Sequence, residues 1–184
     1  MKICIYGGAA PDVDKALLDA SYEVGRRIAE RGHTLVFGGG RAGSMGACAN
    51  GVIDRGGVPV SVYPEFMMRF EPHLSDDTTV ITTKTMAERK QLMIGMSDAF
   101  IVLPGGVGTL DEFFETVVLK ELGLCEKPIV LLNTEGFYNP LVGLLRQYAA
   151  QGFIHEYVLA QTDVAETPED ALRFAEKAMK DAQG

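Results

Sequence analysis

A single doubly wound α/β domain built on a parallel sheet is what this chain of 184 residues predicts. Three observations carry that expectation. Short apolar runs alternate with helical patterns along the whole length. The runs are apolar at nearly every position, as strands covered on both faces must be, rather than apolar at every second position. Glycine clusters stand directly behind several runs, where a strand would turn into a helix. With 47% hydrophobic residues the chain can bury one full core but is too short for two ordinary domains. Residues 1–184 are therefore expected to form one Rossmann-like domain with helices on both faces of the sheet.

The elements follow in order. KICIY (residues 2–6) is the first strand, and KALLDASYEVGRRIAERG (15–32) the helix behind it. TLVFGGG (34–40) is a second strand running into glycines, followed by the helical SMGACANGVIDRGG (44–57) and the strand VPVSVYP (58–64). The second half repeats the rhythm: strand TTVITT (78–83), helix MAERKQLMIGMS (86–97), strand DAFIVLP (98–104), helix TLDEFFETVVLKELG (109–123), strand KPIVLLN (127–133), helix YNPLVGLLRQYAAQG (138–152). A last helix starts with Thr167 as N-cap and Pro168 as first helical residue. Residues 64–77 break the pattern with Pro, Phe and Met in no clear period, and read as a flap, a subunit contact or an ordinary long connection. Phe66, Met67 and Met68 within it suit packing better than a base pocket.

Net charge of −8 and the lack of a Lys/Arg run leave no electrostatic footprint for nucleic acid or an anionic membrane. Cys4, Cys48 and Cys125 are isolated and fit reduced core thiols of a cytoplasmic protein rather than a disulfide framework. No stretch approaches the ~20 apolar residues of a membrane span, and MKICIYGG is too weakly apolar for a signal peptide. His33, His73 and His155 lie far apart without metal-ligand spacing, so each is expected to be structural or on the surface, and no metal or cofactor is implied.

Glycine loops follow the first, second and fifth predicted strands: YGGAAP (6–11), GGGRAGSMG (38–46) and PGGVGT (104–109). Ligands of doubly wound sheets lie at such carboxyl ends, where the winding reverses. Gly38, Gly40 and Gly43 match G-x-G-x-x-G, with Glu65 placed as a ribose-binding acid would be, but the motif stands on the second strand and no substrate domain remains to accept a hydride. In the third loop Pro104 stops the strand, and Gly105, Gly106 and Gly108 let backbone amides converge at the start of a helix, a setting suited to phosphate. No Lys follows Gly108, so this is not a Walker A loop. Thr109-x-x-Glu112 is also a capping box, in which both side chains would serve the helix's own amides; on spacing alone the cap is favoured. Arg89 shares the inward stripe of Met86, Met93 and Met96, and a buried guanidinium demands an anion: a bound phosphate, Asp98, Asp111 or Glu112. Lys90, one position round, is expected to be solvated.

P-G-G-x-G-T-x-x-E at Pro104 to Glu112, together with M-x-x-R-K at Met86 to Lys90, resembles the LOG ("Lonely guy") family, cytokinin riboside 5′-monophosphate phosphoribohydrolases often mislabelled as lysine decarboxylases. The phrases SDAFIVLPGG, KPIVLLN and QGFI extend the likeness from residue 3 to about residue 155. The resemblance implies a homodimeric hydrolase that cleaves the N-glycosidic bond of a nucleoside 5′-monophosphate, AMP or N6-prenyl-AMP, giving free base and ribose 5-phosphate. It implies Arg89 and Glu112 as the catalytic pair. It implies Gly105, Gly106, Gly108 and Thr109 as phosphate ligands, with Gly8, Gly39, Gly43, Met86 and Lys90 in nucleotide binding. Many members carry Gly-Ser-Ser in the first loop where this chain has Gly7, Gly8, Ala9 and Ala10, so here that loop would offer backbone groups alone. A carrier that binds and releases a phosphorylated ligand unchanged is the alternative from another class, since the fold serves both.

Overall fold

The computed structural model describes residues 1–69, 77–160 and 162–181; of residues 178–181 only the backbone is described. It contains seven strands: β1 (Lys2–Tyr6), β2 (Thr34–Phe37), β3 (Val60–Pro64), β4 (Thr79–Thr83), β5 (Ala99–Val102), β6 (Ile129–Leu132) and β7 (Thr162–Ala165). All pair in parallel, in the order β4-β3-β2-β1-β5-β6-β7. The helices are α1 (Lys15–Glu30), α2 (Gly43–Ile53), α3 (Met86–Met96), α4 (Val107–Glu121), α5 (Asn139–Ala150), α6 (Glu156–Ala160) and α7 (Pro168–Asp181).

Strand alternation divides the core. Ile3, Ile5, Ile101 and Leu103 pack toward α1, α2 and α7, whereas Cys4, Tyr6, Phe100 and Val102 pack toward α3, α4 and α5. Both sides of the central strands are sealed from water, and this is why they read as unbroken apolar runs. Their burial is the main favourable term in folding. The winding reverses between β1 and β5, whose carboxyl ends lead into the first and third glycine loops.

Thr167 does cap α7: its hydroxyl accepts from the Asp170 amide at 3.1 Å. The cysteines are all buried and unpaired. Two elements escape the sequence pattern, β7 and α6. β7 is an edge strand with β6 as its one neighbour, and Thr162, Asp163 and Val164 are only half-buried, so its apolar signal is weak. α6 has five residues, too few to show a helical period. Among the described residues no helix is long and apolar enough to cross a membrane.

Of the irregular segment 64–77, residues 65–69 form a 3-10 turn after β3, with Phe66 and Met68 exposed; residues 70–76, His73 among them, lie outside the described residues. His33 binds Glu176 at 2.8 Å, tying α7 to the residue that enters β2, and His155 stacks on Tyr157. Among the described residues no cluster of His, Cys, Asp and Glu could hold a metal ion.

Candidate active site

At the switch point lies a cavity of about 320 Å³. The first loop lines it with Gly7, Gly8, Ala9 and Ala10, α2 with Met45, α3 with Met86 and Arg89, and α4 with Gly108, Thr109, Asp111 and Glu112, behind Gly106. The loops are stitched together by backbone: the Gly8 amide donates to Pro104 O at 3.2 Å, and the Met45 amide to Gly8 O at 3.1 Å. Tyr138 donates its hydroxyl proton to Leu103 O at 2.6 Å, fixing the point where β5 becomes the third loop.

α4 begins two residues before the expected start. Gly106 is its N-cap, no side chain caps it, and the first intrahelical bond runs from the Leu110 amide to Gly106 O. The amides of Val107, Gly108 and Thr109 therefore have no acceptor within the helix. The capping box is not formed. Thr109 is buried with its hydroxyl unpartnered, and the Glu112 carboxylate points elsewhere, accepting from Arg89 Nη2 at 2.7 Å. A β-carbon at Gly106 or Gly108 would meet nothing within 4 Å, so these glycines leave open space where a ligand oxygen can approach. Gly108→Ala is expected to narrow that space, raising KM for the ligand about tenfold, or ~1.4 kcal/mol of binding, with a nearly unchanged melting curve. Steady-state kinetics with calorimetric Tm checks it.

Arg89 and Glu112 are both buried, 6% and 7% exposed. Arg89 Nη1 lies 3.7 Å from Met86 Sδ, and its Nε has no partner. Burial pushes the Glu112 carboxyl up to about 7, against the opposing pull of Arg89; Asp111 adds to the rise and Lys90 resists it. A carboxyl poised there can change protonation near neutral pH, which exposed carboxylates cannot. α4 is braced behind it: Thr116 donates to Glu112 O at 3.1 Å and shares a 2.9 Å hydrogen bond with Tyr6 at the end of β1.

The structure thus brings together Gly8, Met86, Arg89, Gly106, Gly108, Thr109 and Glu112, and it leaves four expected residues outside the lining. Lys90 is neither solvated nor in the cavity: it binds Asp111 at 2.9 Å and Glu115 at 2.5 Å, clamping α3 to α4, and those carboxylates hold its proton more tightly than usual. Gly39 and Gly43 adopt φ of 85° and 64°, the left-handed region that favours glycine, and pack against Tyr63 and the first-loop backbone respectively. Gly105 is pressed between Thr109 and the Gly8 amide, where a β-carbon would lie 2.1 Å from the Thr109 hydroxyl. Phe66 and Met68 do not line the cavity, whereas Met45, whose only signal was its place in the second glycine loop, does.

Comparisons with known proteins bear on the family and the fold. A family model described as "Possible lysine decarboxylase" matches residues 45–174. A cytokinin riboside 5′-monophosphate phosphoribohydrolase of Mycobacterium tuberculosis is 41% identical over 93% of this chain and 91% of its own length. The rice protein named cytokinin riboside 5′-monophosphate phosphoribohydrolase LOG is 39% identical over 84% of this chain, which spans 64% of that relative. Among solved structures, the Moco carrier protein of Chlamydomonas reinhardtii superposes with a TM-score of 0.71 over 98% of both chains at 24% identity, a likeness of fold alone.

Proposed function

The chain belongs to the LOG family, whose sequence model carries the lysine decarboxylase description, and from that premise we propose that it is a phosphoribohydrolase. It cleaves the N-glycosidic bond of an N6-modified adenosine 5′-monophosphate, releasing free base and ribose 5-phosphate. One observation carries the reading: the uncapped start of α4 opens into the same cavity as a buried Arg89–Glu112 pair.

The chemistry follows from that juxtaposition. The free amides and positive dipole end of α4, with the Thr109 hydroxyl, take the 5′-phosphate. The ribose is then tethered one short link away, beside Glu112 in the second turn of the helix. Glycosidic cleavage passes through an oxocarbenium-like state, and ionised Glu112 offsets its positive charge and orients the attacking water. Arg89, protonated at any relevant pH because a guanidinium titrates above about 12, supplies charge and orientation. A lysine decarboxylase using a pyridoxal-type aldehyde needs a lysine amine in its pocket; among the described residues no lysine lines this one, and Lys90 is held by two carboxylates.

We also infer a homodimer in the cytoplasm. The end of α4 presents Val118, with Leu122 directly behind the helix, as exposed apolar surface that suits a second copy, and three unpaired thiols suit a reducing compartment.

The test is a product assay. Incubation with AMP and with N6-isopentenyl-AMP, followed by chromatography, is expected to give free base and ribose 5-phosphate. Tight binding with every nucleotide recovered intact overturns the hydrolase reading in favour of the carrier.

A further inference from the structure

The second glycine loop formally matches a dinucleotide fingerprint, yet the structure accounts for its glycines sterically. Gly38, at the end of β2, is the informative one. Its φ is outside the left-handed region, it is buried, and it does not line the cavity. Neither backbone conformation nor ligand contact calls for glycine there. Space does: a β-carbon at residue 38 would lie 2.0 Å from Arg89 Nη2 and 2.9 Å from its Cζ, with Met45 Sδ at 3.3 Å. That same Nη2 donates to Glu112 Oε1 at 2.7 Å.

We infer that Gly38 is a positioning residue: its missing side chain is the seat in which the Arg89 guanidinium rests, and this seat aims Nη2 at Glu112. The consequence for turnover rests on the hydrolase reading above; the seat itself does not. Nη1 is held against Met86 and Nη2 against Glu112, so the guanidinium is caught on three sides, with Gly38 as the wall. The nearest atoms to an added methyl are all side-chain atoms. Alanine at 38 therefore displaces the flexible end of an arginine and leaves the path of β2 intact.

The experiment is a double-mutant cycle on the full chain with Gly38→Ala, Arg89→Ala and both together. In the single variant Gly38→Ala, kcat/KM is expected to fall about 100-fold, the loss that misplacing reacting groups by ~1 Å can cause. The loss should fall mainly in kcat. The Glu112 titration midpoint, followed by carboxyl NMR, is expected to rise above about 7 because Arg89 is its chief counterweight. In the Arg89→Ala background, adding Gly38→Ala should move neither the midpoint nor Tm. An unchanged midpoint in the single variant overturns the inference, as does an equal loss in both backgrounds. Should Gly38→Ala fail to fold, recovery of folding in the double variant supports the seat and failure of both overturns it. A wild type inactive on nucleoside monophosphates sinks the hydrolase reading, while the titration arm still judges Gly38.

Discussion

Glu112→Gln is expected to lower kcat by roughly 10² to 10⁴, the range typical of a positioned carboxylate, while the fold and phosphate binding persist. Glutamine keeps the volume and can still accept from Arg89 Nη2 through its carbonyl, so the cavity wall stays closed. It cannot carry the negative charge that the oxocarbenium-like state requires. The wild-type pH profile gives a second readout. The folded carboxyl is raised to about 7 by burial, well above the ordinary ~4.3. The useful ionised form therefore populates only above that point, and kcat/KM should climb with pH below about 7 and level off above it. In Glu112→Gln the climb should vanish. The same shift has a stability sign. A carboxyl raised on folding favours the protonated folded state, so its contribution is fully present below the unfolded value and is lost as pH rises through about 7. Turnover in Glu112→Gln equal to wild type would leave the residue with no chemical role.

Arg89→Met should rank next, with a loss of about 10² to 10³ in kcat/KM, comparable to removing one preorganised donor from a transition-state site. The thioether side chain fills much of the guanidinium's space and removes its charge. Glu112 then sits buried without its cation, and breaking a buried pair in this way would cost ~3 to 5 kcal/mol if the carboxylate had to stay ionised. It need not stay ionised: already poised near 7, it takes up a proton instead. Arg89→Met should thus remain folded, and the activity climb should shift to more alkaline pH. A pH–rate series on both proteins decides the matter. An unshifted limb would show that Arg89 and Glu112 are not coupled in the working enzyme.

The match with a carrier protein is a likeness of backbone alone. At 24% identity over 98% of both chains it carries no activity across, and a doubly wound sheet by itself serves carriers and enzymes alike. In the function proposed here the cleavage chemistry rests with a few side chains around α4. They are Glu112 and Arg89, together with the unpartnered Thr109 hydroxyl beside three free amides.

Much of this was legible in the sequence by itself. Strands β1 to β3, β5 and β6 are visible because burial on both faces of a parallel sheet makes each an apolar run, a property local to the strand; β4, an edge strand that is largely exposed or half-buried, is visible through its β-branched residues instead. The first and third glycine loops are visible because glycine marks the strand-to-helix turns, and the winding order places those turns on one crevice. Arg89 is visible because an arginine on an apolar stripe needs an anion. Which anion was a tertiary decision. Thr109-x-x-Glu112 is satisfied locally either by a cap or by a partner from elsewhere, and the two share one spacing. Only the docking of α3 on α4, bringing together residues 23 apart, turned Glu112 from its own helix end to Arg89. The same packing drew Lys90 onto Asp111 and Glu115, and it gave Gly38 a use that no local pattern carries, because the space it preserves is needed by a side chain on another element.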